Sequence, residues 1–264
     1  MPSQDPHRDT VVLTAIEPDG AGGSRFVEET IAYDATSGPL QVTRRRPATA
    51  VSFRWAPGDF DFDYHPAPRK RLVVVTEGTL EVTASDGEAR RFRCGDLLEV
   101  RDTEGRGHRS RSADGAPVRS AFIALDADLR HDRLTALEGD APDAAGAGID
   151  YLHNREDTGG RSFCTPAHLP YLYGGPSGVV TPELPLVGIS YAYAAADLDY
   201  EWHPAPRRQL VLVLSGGIAM TYGSGQQSQV TAGNFLVGED TDGQGHISRA
   251  VDGAARFSIF AHLG

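Results

Sequence analysis

The chain has 264 residues, 40% hydrophobic and 23% charged, an ordinary balance for a globular protein of one large domain or two smaller ones. Asp and Glu number 36 against 25 Lys and Arg, and the resulting net charge of −11 argues against nucleic acid and anionic membrane as partners. The start MPSQDPHRDT is too polar for a signal peptide, no apolar run reaches membrane-spanning length, and Cys94 and Cys164 have neither metal-like nor disulfide-framework spacing, so a cytoplasmic location is expected.

Strand signals follow one another along the chain. LVVVT (72–76) is a short, β-branched apolar run with the character of a buried strand. LEVTA (80–84) alternates and is followed by the hairpin turn SDG (85–87). Gly95-Asp96 turns into LLEV (97–100), and Asp114-Gly115 precedes the last strand of this half, VRSAFIAL (118–125). A helix is predicted only over DADLRHDRLTALEG (126–139), which leads into the acidic, small-residue stretch DAPDAAGAG (140–148), read as a linker. The same signals then return as LVLVL (210–214), GSG (223–225), Gly233-Asn234 before FLVG (235–238), and RFSIFAHL (256–263).

The return is a repeat. HPAPRKRLVVV begins at His65 and HPAPRRQLVLV at His203, 138 positions further on. The same offset relates Gly78 to Gly216, Asp102 to Asp240, His108 to His246, Arg111 to Arg249 and Phe122 to Phe260. Residues 51–126 align with 189–264 without a gap at roughly two identities in five, as expected of a duplicated domain. Upstream, GGSRF (22–26) echoes GGRSF (159–163). The expected organisation is an N-terminal barrel over 1–135, a linker over 136–150 and a C-terminal barrel over 151–264. Short strands at regular spacing with glycine turns indicate all-β sandwiches or barrels.

His65…Arg71…Gly78 and His203…Gln209…Gly216 resemble the first motif of the cupin superfamily: a His-x-His pair, a Glu or Gln, six residues, then Gly. GDLLEVRDTEGRGH (95–108) and GNFLVGEDTDGQGH (233–246) resemble the second, each closing on Gly-x-x-His. The resemblance covers nearly the whole chain and implies a bicupin, two tandem jelly-roll barrels, with cupin sites inside them. It does not fix a reaction, because function lives in sites grafted on the fold.

In metal-binding cupins the motif histidines and the Glu or Gln converge inside the barrel. Carried over, His203, Gln209 and His246 take three of these places, while Ala205 stands in place of the second His. Glu201, two residues before His203 and so on the same face of a regular strand, is the expected replacement, making Glu201, His203 and His246 the catalytic set of a divalent Fe, Mn, Ni or Zn centre. In the first copy His65, His108 and Asp63 match, but Arg71 takes the Gln209 place and Ala67 repeats the missing His. A guanidinium cannot ligate a metal and repels a dication. The C-terminal barrel is therefore expected to be the metal site, and the N-terminal one metal-free or altered to hold an anion.

Arg69, Arg71 and Arg207 are candidates for binding a carboxylate-bearing substrate. Arg111 and Arg249 read as surface ion-pair partners of Asp102 and Asp240, Tyr64 and Trp202 as pointing away from the site, and His7, His131, His153, His168 and His262 as without chemistry. The functional expectation is a metal-dependent bicupin enzyme acting on a small carboxylate-bearing molecule by oxygenation, decarboxylation or isomerisation. The alternatives are a metal-free cupin isomerase, epimerase or cyclase using His acid–base chemistry, and a non-catalytic small-ligand binding protein. A monomer with an internal pseudo-dimer, or a homodimer, is expected.

Overall fold

A computed structural model describes residues 7–125, 135–137, 140–175 and 178–264. Its first half carries β1 (Thr10–Pro18), β2 (Ser24–Ala32), β3 (Ala35–Ser37), β4 (Leu40–Val42), β5 (Ala50–Ala56), β6 (Asp61–His65), β7 (Arg71–Glu77), β8 (Leu80–Ala84), β9 (Ala89–Phe92), β10 (Leu98–Val100), β11 (His108–Ser112) and β12 (Val118–Ala124). After β13 (Thr135–Ala136) the second half repeats the series as β14 (Gly148–Glu156), β15 (Ser162–Pro170), β16 (Tyr173–Gly175), β17 (Gly178–Val180), β18 (Leu184–Ala194), β19 (Asp199–His203), β20 (Gln209–Ser215), β21 (Gly217–Tyr222), β22 (Gln227–Thr231), β23 (Phe235–Gly238), β24 (His246–Ala250) and β25 (Arg256–Leu263).

Pairing in the two halves is the same. One sheet runs β2-β1-β10-β7-β12-β5 and faces β6-β11-β8-β9; its counterpart runs β15-β14-β23-β20-β25-β18 and faces β19-β24-β21-β22. This is the all-β, double-sheet jelly roll of the cupin fold, made twice.

The long apolar runs follow from where β7 and β20 lie. On β7, Val73 and Val75 point into the first barrel while Leu72 and Val74 point the other way, into a core shared with the second. On β20, Val211 and Val213 fill the second barrel and Leu210, Leu212 and Leu214 join the shared core. Both faces of each strand are buried, so alternation vanishes from the sequence. Phe53 of one half stacks on Phe235 of the other with ring centroids 4.4 Å apart.

The halves also exchange elements. The β3–β4 hairpin of the first half adds to the edge of β18, and the β16–β17 hairpin of the second adds to the edge of β5, with a short β5–β18 contact between. Each hairpin thus covers an edge strand that would otherwise be exposed.

Within the stretch read as a linker, Ala136 pairs with Tyr173, Asp143–Ala145 forms a single 3₁₀ turn and β14 begins at Gly148. The helix expected over 126–139 falls largely on residues outside those described; Thr135–Ala136 inside it are extended. Among the described residues no helix is long and apolar enough to cross a membrane. Both cysteines are half-buried and unbridged, and burial pushes both thiols up, consistent with a packing role.

Candidate functional site

The motif histidines converge in each barrel. β11 pairs with β6 so that His108 lies opposite His65, with ring centroids 4.7 Å apart, and β24 places His246 opposite His203 at 4.5 Å. His108 Nδ1 donates to the carboxylate of Asp102 at 2.8 Å, and His246 Nδ1 to Asp240 at 2.5 Å; both aspartates are fully buried. His65 Nδ1 donates to the backbone carbonyl of Asp63 at 2.8 Å, and His203 Nδ1 to that of Glu201 at 2.7 Å. With Nδ1 engaged, the neutral form of each ring carries its lone pair on Nε2. Burial, and then the facing His108 ring, push His65 down to about 4; burial likewise lowers His203.

Glu201 and Asp63 do not join these sites. A β-bulge interrupts β6 between Phe62 and His65, and β19 between Tyr200 and His203. An extra residue resets the alternation, so the inward partners of the histidines lie three positions back, not two. Phe62 packs on His65 at 4.0 Å and Tyr200 stacks on His203 at 3.5 Å. Glu201 turns outward, its side chain 73% exposed beside Arg249, and Asp63 is exposed. Tyr64, packed under Arg106, and the exposed Trp202 also face away.

The arginines sort differently from expectation too. Arg69 is tied to Glu183 of the other half and Arg207 is exposed outside the C-terminal cavity, so neither lines a site. Arg111 pairs with Glu81, and Arg249 with Asp199 at 2.8 Å, because Asp102 and Asp240 are taken by the histidines. Arg71 is buried inside the first barrel with its guanidinium 5.1 Å over Phe122. Arg54 reaches the same ring at 5.3 Å, and sequence reading missed it because its repeat partner is Ala192. Arg256, also missed, is 3% exposed inside the second barrel, where the repeat offers Val118. Burial lowers it to about 10, so it stays charged at neutral pH.

The cavities are unequal. The N-terminal barrel encloses about 490 Å³, walled by Phe60, Phe62, Val73, Val82, Leu98 and Phe122, with His65, His108, Arg54, Arg71, Ser110 and Ser120 as its polar points. The C-terminal barrel encloses about 100 Å³. Repeat partners account for the difference: Met220, Tyr222 and Arg256 occupy the places of Val82, Ala84 and Val118. Tyr222 is held by hydrogen bonds of 2.8 Å to Asn154 and Ser228, which fixes the filling in place.

Neither barrel suits a divalent metal. Among the described residues no group of three His, Cys, Asp or Glu side chains converges. The second-His places are buried Ala67 and Ala205, and each cavity carries a buried guanidinium, Arg71 in one and Arg256 in the other. A fixed cation in the same low-dielectric space opposes a dication.

No family model and no curated protein matches the chain. Solved structures do. A cupin 2 conserved barrel domain protein from Leptotrichia buccalis aligns over 87% of this chain and 91% of its own at 12% identity and TM-score 0.39. The bacterial pirin YhhW of Escherichia coli, solved in complex with nickel(II), aligns over 96% and 99% at 13% and 0.36. AerE from Microcystis aeruginosa aligns over 94% and 97% at 10% and 0.34. The strand pairing described above, repeated in both halves, has the arrangement of the cupin fold.

Proposed function

We propose that this is a metal-independent cupin enzyme whose N-terminal barrel binds a small, mainly apolar acid and moves a proton on it. The observation that carries the reading is the roughly 490 Å³ apolar cavity on which His65, the His108–Asp102 pair and two arginines open together. The volume falls within the usual range for small-molecule sites, and few, fixed polar groups on apolar walls are their usual composition.

The chemistry follows from the hydrogen bonds. Asp102 holds the His108 ring with its lone pair on Nε2 and steadies the charge that forms when a proton arrives there. That nitrogen can take a proton from a carbon next to the substrate's carboxylate or carbonyl, the electron pair moving onto oxygen as an enolate. Arg71 or Arg54 offsets the growing charge, and return of the proton to another carbon or the other face completes an isomerisation or epimerisation without oxidant. His65, neutral at pH 7, accepts a hydrogen bond from the substrate beside the base.

The test is hydrogen exchange in D₂O, read by NMR, across a panel of small aryl and branched-alkyl 2-oxo and unsaturated carboxylates. Exchange catalysed by the native chain should fall by about 10²–10⁴ in His108→Ala and lose affinity in Arg71→Met. Exchange that survives His108→Ala, or no panel member that binds and exchanges, overturns the proposal.

A further inference from the structure

The C-terminal barrel poses a separate question: why it keeps a cation in a space too small for an organic substrate. Arg256 is 97% shielded from solvent, and its Nη1 has no hydrogen-bond partner. Among the described residues no carboxylate pairs with it, and burial lowers its pKa. Asp240, the buried acid of this barrel, is engaged by His246. A buried charge left unmatched is costly, and an unpartnered guanidinium aimed into a cavity calls for a bound ion.

We infer that the C-terminal cavity is a binding site for a small monoanion held by Arg256. Arg256 supplies both the charge and the N–H donors. Size sets the class. At a liquid share of about 30 Å³ per water, 100 Å³ accommodates about three to four non-hydrogen atoms: formate, acetate, bicarbonate, nitrate or a halide, not an aromatic acid. Ser37 and Leu40 of the β3–β4 hairpin line this cavity from the first half of the chain, and Tyr200, stacked on His203, lies against Gly38 of that hairpin. The site is structural in this reading: the anion neutralises the barrel interior and ties the two halves together.

Anions that bind only the native state raise its melting temperature with saturation, which separates them from general salt effects. The full chain is melted in sodium formate, nitrate and bromide, against benzoate and citrate at matched ionic strength. The small monoanions should give a saturating rise of several degrees that is retained in Arg71→Met and abolished in Arg256→Met. A rise absent from the native chain, equal in Arg256→Met, or lost in Arg71→Met overturns the site. Should Arg256→Met fail to fold, bromide-soaked crystals of the native chain decide it: an anomalous peak beside the Arg256 guanidinium supports the site, and its absence overturns it. Arg71→Met separates this outcome from that of the N-terminal barrel, since the two proposals depend on different arginines.

Discussion

At the scale of single residues, each barrel is governed by one buried contact between an aspartate and a histidine. Asp102 to His108 and Asp240 to His246 keep their spacing because each aspartate lies on the turn whose later glycines lead directly into the histidine strand. Gly107 and Gly245 make this possible: an added Cβ would lie 1.9 Å from the carbonyl oxygen of His65 and 2.0 Å from that of His203. Asp102→Asn keeps the shape but lets the amide turn His108 into the wrong tautomer. Proton exchange should then fall by about 10²–10⁴ with little change in ligand affinity; an unchanged rate would remove Asp102 from the chemistry. Metal content is the second check. Purified from cells supplied with Fe, Mn, Ni and Zn, the chain should carry less than about 0.2 equivalents, whereas one equivalent lost in His203→Ala or His246→Ala would reinstate a metal centre. The motif histidines were legible as a pair from their repeat. Their neighbours were not, because a bulge in β6 and β19 changes which residues face inward without leaving a sequence signature of its own.

At the scale of elements, the exchanged hairpins decide how the halves are joined. Gly178 opens β17 at φ +122°, a conformation favourable only to glycine, and an added Cβ would lie 2.0 Å from the carbonyl oxygen of Trp55. Gly178→Ala therefore forces β17 off β5. It should cost roughly 2–4 kcal/mol in urea unfolding, and a cost within about 0.5 kcal/mol, the range of neutral surface changes, would show that the β5 edge does not need its cover. These hairpins were invisible in advance. Their strands are three residues long, too short for any periodicity, and their partners lie more than a hundred positions away. The β7 and β20 strands were readable because burial on both faces writes an uninterrupted apolar run.

At the scale of the whole molecule, duplication made the fold legible, while divergence inside the barrels set what each half can hold. That divergence is written in repeat partners such as Val82 and Met220 or Val118 and Arg256, and it becomes readable as volume only once strand faces are known. The shared interior also sets a pH limit on stability. His65 in the first barrel and His262 in the second are both pushed to about 4 by burial, His262 further by Arg207 and Arg45, against an ordinary imidazole value of 6.5. His262 is 6% exposed, with Nδ1 unpartnered and Nε2 on Ser190 at 3.2 Å. Between those two values the unfolded chain binds protons that the folded chain refuses, so stability rises with pH there. It is fully present above the unfolded value and is lost as the pH falls from 6.5 towards 4. The two rings together should remove roughly 3 kcal/mol across that window after solvent screening is discounted. Urea midpoints taken from pH 7.5 down to pH about 4.5 at constant ionic strength measure it. The slope should flatten in His262→Gln, which cannot take up the proton; a slope that is absent, reversed or unchanged in that variant would mean that the buried rings do not set the acid limit.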